Sequence, residues 1–169
     1  MKKILLIIIV FALFACSNNK QVKKKVIQLK IIQLNETLVA GVFDSVDQTT
    51  PNKFPQIWQA FMAKQSALKN ISKSGIFYGV GYGYKKTKDG FKMNYLAGVP
   101  VSKKFEAEGI SFYTIKAGDY AVFSHKGKLK SLNETYKKIY EQTIPQSEYK
   151  IKNSAGVEKV LALAATKKA

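Results

Sequence analysis

From Ile76 to Tyr84 the sequence alternates with a period of two. Ile76, Tyr78, Val80, Tyr82 and Tyr84 fall on one side, and Phe77, Gly79, Gly81 and Gly83 on the other. That period is a strand. Glycine weakens a strand, so three along one side mean that a helix, a second backbone or a ligand approaches closely there. Phe91–Val99 alternates as well, and the Asp89-Gly90 turn signal joins the two runs into a hairpin. Phe91, Met93 and Tyr95 share a face of the second strand.

Other segments fall into place around this hairpin. Val26–Leu34 and Leu38–Phe43 read as strands. Phe54, Ile57, Trp58, Phe61, Met62 and Leu68 recur at helical spacing, with Pro55 in the first turn and an end near Asn70. Phe112–Lys116 and Tyr120–Ser124 are strands broken at Ala117-Gly118-Asp119. A second helix carries Leu132, Tyr136, Ile139 and Tyr140 on one face, with Ser131 and Glu134 at capping-box spacing and Pro145 closing it. Tyr149–Ile151 is a further strand. The two halves echo each other. The fold expected is therefore α+β, with duplicated βαββ units forming one antiparallel sheet, two helices packed on one side and a central cleft. A single irregular α+β layer without duplication is the alternative. Trp58, Phe61, Tyr82, Tyr95 and Tyr113 are the candidate cleft walls. Such rings suit a planar or cationic organic molecule, and rings at these periods equally suit a plain core.

The N-terminus points to a compartment. Met1, Lys2 and Lys3 are followed by the apolar run Ile4–Leu13, too short for a membrane span of about 20 residues and shaped like a secretory signal. Leu13-Phe14-Ala15-Cys16 resembles the bacterial lipobox. That resemblance implies removal of residues 1–15, lipidation of Cys16 (palmitate among its acyl chains) and a lipid anchor at the extracytoplasmic face of the cell envelope. An ordinary signal or an uncleaved anchor is the alternative. Residues 16–25 then form a tether, 26–155 a domain, and 156–169 a C-terminal tail of uncertain structure.

Charge and rare residues exclude several classes. The formal charge is +17, or +15 once Lys2 and Lys3 are gone, but all the basic residues are lysine. Without arginine, the usual reader of guanine and clamp for phosphate, nucleic acid is not the expected partner. A solvated basic surface that also favours an anionic membrane is. One Cys and one His rule out a disulfide scaffold, a Cys-rich zinc site and a multi-histidine metal site, so neither metal nor cofactor is expected. His125, at a strand end, is expected to cap the turn into the second helix.

Gly118-Asp119-Tyr120-Ala121-Val122-Phe123-Ser124-His125-Lys126-Gly127 resembles the core motif of GyrI-like, AraC-type effector-binding domains. Leu132–Tyr140, Ile144–Tyr149, Tyr95–Val99 and Ile57–Phe61 are similar to that family's second helix, following segment, central strand and first helix. The likeness spans about Val26 to Ile151. It implies a duplicated βαββ sheet with a central cleft for small hydrophobic or cationic organic molecules. Thr143 stands where the family often has Trp. The family's last strand carries a Phe-Glu-like pair whose carboxylate faces the cleft, and Glu158 is the residue available for that place. The function expected is a membrane-anchored small-molecule binder. The alternatives are a hydrolase using Glu106, Glu108 or Glu158 as base, and a structural envelope protein whose cleft is packed shut.

Overall fold

Among the described residues, alternating and helical periods resolve into nine strands and two α-helices. In chain order they are β1 (Lys2–Phe11), β2 (Lys30–Leu34), β3 (Thr37–Asp47), α1 (Lys53–Lys64), β4 (Ile76–Thr87), β5 (Gly90–Pro100), β6 (Ser111–Ile115), β7 (Gly118–Lys126), α2 (Leu132–Lys138), β8 (Tyr149–Ile151) and β9 (Gly156–Leu161). The computed structural model describes residues 2–11, 29–50, 53–71, 75–126, 128, 131–151 and 156–161. Cys16 and the tether expected at 16–25 lie outside the described residues.

Two βαββ units are present: β3-α1-β4-β5 and β7-α2-β8-β9. The strand preceding each unit pairs with the other unit, β2 with β7 and β6 with β3, both antiparallel. The sheet runs β2-β7-β1-β9-β4-β5-β3-β6, with β8 pairing β1 off that path. It is mostly antiparallel. The exception is β1, which runs parallel to β7, β8 and β9. Residues 4–11 of the apolar run read as a leader thus lie in a strand in the middle of the sheet, and the segment read as a C-terminal tail opens with β9, another central strand.

Both helices lie on one face. Ile57 and Phe61 of α1 pack on Ala40, Val46, Tyr95, Ala97 and Val99. Below α2, Ile139 and Ile144 pack on Ile8, Ala121 and Phe123. Those two isoleucines are five residues apart, so a regular α-helix would not point both inward. The chain widens into a π-helical turn over Ile139–Thr143, with the Ile144 amide donating to the Ile139 carbonyl at 2.9 Å. The helix-free face has its own core, from Ile7, Val39, Val80, Leu96, Ile115, Tyr120, Val122 and Val157. Tyr82 on β4 and Tyr113 on β6 meet there with ring centroids 4.5 Å apart, although two strands separate β4 from β6. A flat sheet would hold them about 14 Å apart at its strand spacing, so the sheet curls into a half-barrel.

Three local expectations are corrected. α1 ends at Lys64 and passes into a 3-10 turn, Gln65–Ala67, short of Asn70. Ser131 makes no side-chain cap; its hydroxyl donates to the Lys128 carbonyl at 2.8 Å, so the capping box does not form. Tyr84 leaves the face it was read on. The register slips between Tyr82 and Lys85, where Gly83 takes a φ of 66° open to glycine. Beyond this bulge Tyr84 stacks on Phe91, the rings 5.8 Å apart and 17° from parallel, on the face that carries Met93 and Tyr95.

His125 is buried and structural. Its Nδ1 lies 2.7 Å from the Thr135 hydroxyl and its Nε2 3.3 Å from the Lys128 carbonyl, tying the end of β7 to the turn and to α2. Among the described residues no helix is long and apolar enough to cross a membrane. Phe61, fully buried between α1 and the sheet, is a test of this packing. Phe61→Ala should lower the unfolding free energy by about 3–5 kcal/mol in urea titrations; a loss below about 1 kcal/mol would contradict the core described.

Candidate functional site

The glycine side of β4 faces the helices, and the reason for those glycines is visible at Gly79. A Cβ there would collide with the Tyr95 hydroxyl and lie 2.8 Å from Glu158 Oε2. Gly79 pairs with Glu158 on β9 and with Ala97 on β5, so its missing side chain leaves a pit in the sheet. Into this pit Tyr95 brings its hydroxyl and Glu158 its carboxylate.

Each carboxylate oxygen has a donor. The Tyr95 hydroxyl donates to Glu158 Oε2 at 2.6 Å, and the Tyr136 hydroxyl donates to Oε1. Trp58 Nε1–H donates to the Tyr95 oxygen at 3.2 Å, extending the chain back to α1. Phe54 meets Tyr95 edge-to-face, with centroids 4.9 Å apart. Tyr140 stacks on Tyr136, 6.3 Å apart and 12° from parallel, and its exposed ring stands at the outer end of the group. Among the described residues no lysine lies within ion-pair reach of Glu158.

The electrostatics follow from this arrangement. Burial pushes the Tyr95 hydroxyl well above the usual phenol value of 10.0; the negative charge of Glu158 and the bond to it add to this, and the Trp58 N–H opposes it. Tyr136 is likewise pushed well up, first by burial and then by Glu158. Burial also raises Tyr140, with Tyr84 and Glu158 adding to the rise. Tyr95 and Tyr136 therefore stay protonated donors to the carboxylate throughout the neutral range. What results is a fixed, half-buried anion ringed by aromatic surface, suited to holding a cation with a hydrophobic body.

The expected wall residues divide between three places. Trp58, Tyr95 and Glu158 come together here. Phe61 is on the same side but fully buried beneath Trp58, 6.0 Å from its ring. Tyr82 and Tyr113 lie on the opposite, helix-free face, so they do not share a cleft with Trp58. Glu106 and Glu108 sit exposed on the loop between β5 and β6, where the Glu108 carbonyl accepts from Lys64 Nζ at 3.1 Å. The sequence shows Tyr136 and Tyr140 only as members of a helix face, and Tyr84 lies on the opposite side of β4 from the one its alternation predicts. An open pocket of about 380 Å³ lies elsewhere, against Leu38, Asn70, Ile71 and Val101, and contains none of these groups.

A curled sheet of two βαββ units, with two helices on one face and a carboxylate held between them, defines a GyrI-like effector-binding domain. Solved structures share this fold. An integron cassette protein from the mobile metagenome of Vibrio cholerae superposes with a TM-score of 0.60 at 15% identity, over 79% of this chain and 88% of that one. SAV2435, solved bound to tetraphenylphosphonium, gives 0.56 at 17% identity, over 76% and 79%. A putative bacterial transcription regulation protein from Staphylococcus aureus MU50 gives 0.55 at 18% identity, over 76% and 82%. No match emerges among curated proteins. Over residues 30–168 the sequence matches the integron-associated effector binding protein family, Cass2, and the chain belongs to that family.

Two measurements check the site. Gly79→Ala should displace the Tyr95 hydroxyl from Glu158, shift Trp58 emission and lower stability by about 1–3 kcal/mol; unchanged emission and melting would contradict the pit. In alkali, the unfolded chain loses phenolic protons near pH 10 while Tyr95 and Tyr136 keep theirs when folded. Stability should therefore fall as pH rises above about 10 and on through the raised folded-state values. Tyr136→Phe should shrink that fall in urea midpoints taken from pH 9 to 11. An identical pH dependence in the variant would show that Tyr136 is not held this way.

Proposed function

We propose that this chain captures a hydrophobic organic cation between α1 and α2, over the Glu158 carboxylate, at the surface of a bacterial envelope membrane. The observation that carries the binding part is the carboxylate itself. In a chain of formal charge +17, this one is half-buried, fixed through both oxygens by neutral tyrosine hydroxyls and left without a lysine partner among the described residues. A desolvated anion of this kind favours a cation whose own hydration is weak, and the rings of Trp58, Tyr136 and Tyr140 give the hydrophobic body surface to stack on. The chemistry of tetraphenylphosphonium, present in the structure of SAV2435, is of that type.

The envelope part is supported by the sequence: the basic Met1–Lys3 head, the apolar run, and a single Cys directly after Leu13-Phe14-Ala15. Acyl chains on Cys16 would hold the domain at the membrane. The basic surface adds attraction to anionic lipid.

Titration of the mature chain expected from Cys16 onward with tetraphenylphosphonium, followed by Trp58 fluorescence and calorimetry, tests the binding reading. Saturable binding is expected, and Glu158→Gln should weaken it at least tenfold while the protein still melts cooperatively. Equal affinity in the variant would remove Glu158 from the site. For the anchor, cells expressing the chain and fed labelled palmitate should yield labelled, membrane-bound protein, and Cys16→Ser should yield soluble, unlabelled protein. Label retained by the serine variant would overturn the assignment.

A further inference from the structure

The path β2-β7-β1-β9-β4-β5-β3-β6 is symmetric about the β9–β4 join. β9 matches β4, β7 matches β3 and β2 matches β6. The remaining pair is β1 with β5, and these two differ in kind. β5 is a hairpin strand, contiguous with β4 and antiparallel to both its neighbours. β1 comes from residues 2–11, far from either neighbour in sequence, and runs parallel to both. Both later strands of the second unit, β8 and β9, pair with β1, and the start of the chain fills the place between β9 and β7. Parallel pairing of this kind is somewhat weaker per residue than antiparallel.

The position bears directly on the carboxylate. Ile8 is the register partner of Glu158 on one side and of Phe123 on the other. Its side chain is buried, 1% exposed, in the cluster against which Tyr136 packs. Ile8 thus walls the Glu158–Tyr136 pair on the side facing β7. Without β1, the β7 and β9 backbones would be left about 10 Å apart, two strand spacings, opening a slot beside the carboxylate.

We propose that residues 2–11 are a plug acting in cis: with β1 in the sheet the Glu158 site is closed, and displacement of β1 opens it to a hydrophobic cation. This rests on the reading of Glu158 as the ligand's anchor. The plug is the same segment that a leader peptidase would remove, so the uncut chain is the closed form and the chain beginning at Cys16 the open one. Binding would then be confined to the exported protein.

The test uses the full chain with Cys16→Ser, which removes the native thiol and any lipid. In one variant Ile8→Asp places a second carboxylate in the apolar α2 core beside Glu158 and should expel β1. In a second, Ile9→Cys with Ser124→Cys, at register partners, locks β1 to β7 by a disulfide. Hydrogen exchange should show protected amides over residues 5–11 in the parent and rapid exchange in Ile8→Asp. Tetraphenylphosphonium should bind Ile8→Asp at least tenfold more tightly than the parent. The oxidised double-cysteine protein should not bind it, and reduction should restore the parent affinity. Unprotected 5–11 amides in the parent would overturn the plug, as would equal affinity of the oxidised and reduced proteins. If Ile8→Asp does not fold, the oxidised-against-reduced comparison decides alone. Should no form bind the cation while exchange still shows β1 in place and then expelled, the anchoring role of Glu158 fails, and the plug's regulatory role with it.

Discussion

A carboxylate set into the middle of a sheet is the constraint around which this fold is arranged. Taking such a group out of water costs several kcal/mol unless hydrogen-bond donors replace the water. Glu158 obtains them from both repeats. Tyr95 belongs to the first unit, Tyr136 to the second, and the β4–β9 pairing at the join brings the two within reach of one side chain. Gly79 supplies the space in which they meet. The duplication is therefore more than a way of making a sheet; it creates a position at its centre that neither unit can satisfy alone.

Curling and helix placement follow the same division. On the helix-free face the sheet closes over Val39, Val80, Leu96 and their neighbours, and Tyr82 and Tyr113 spend their rings on each other there. On the other face, α1 and α2 each cover their own apolar cluster and leave the carboxylate between them. The π turn at Ile139–Thr143 lets Ile139 and Ile144 both reach the core, while Tyr140 stays outside, stacked on Tyr136. The bulge at Gly83 carries Tyr84 over to the same face. Two departures from regular backbone thus bring aromatic rings to the outer end of the Glu158 group.

Much of this was legible in the chain. Strand and helix periods placed the repeats, and alternating glycines marked the side of β4 that something approaches. The motif around His125 identified the family, and Glu158 was the residue available for its carboxylate. What period alone could not deliver was the face on which each ring ends up. A one-residue bulge inverts every assignment beyond it, which moved Tyr84, and a curled sheet has two buried faces, so Tyr82 and Tyr113 could be strand aromatics without lining the cleft of Trp58. Tyr136 was hidden for a different reason, since a tyrosine on an apolar helix face reads as core until its hydroxyl is seen to have a partner. The N-terminal run carries both a leader's composition and a strand's, and apolar content alone does not distinguish the two.

Charge selectivity addresses the central claim most directly, because a chain of formal charge +17 and a half-buried carboxylate make opposite demands. Calorimetric affinities of the chain from residue 16 onward, with Cys16→Ser, for tetraphenylphosphonium and for tetraphenylborate, an anion of nearly the same size and shape, isolate that term. A site organised around Glu158 should prefer the cation by at least tenfold, with the preference lost in Glu158→Gln. Equal affinities, or a preference for the anion, would mean that surface lysines and plain hydrophobic contact govern binding and that the carboxylate is only a structural group.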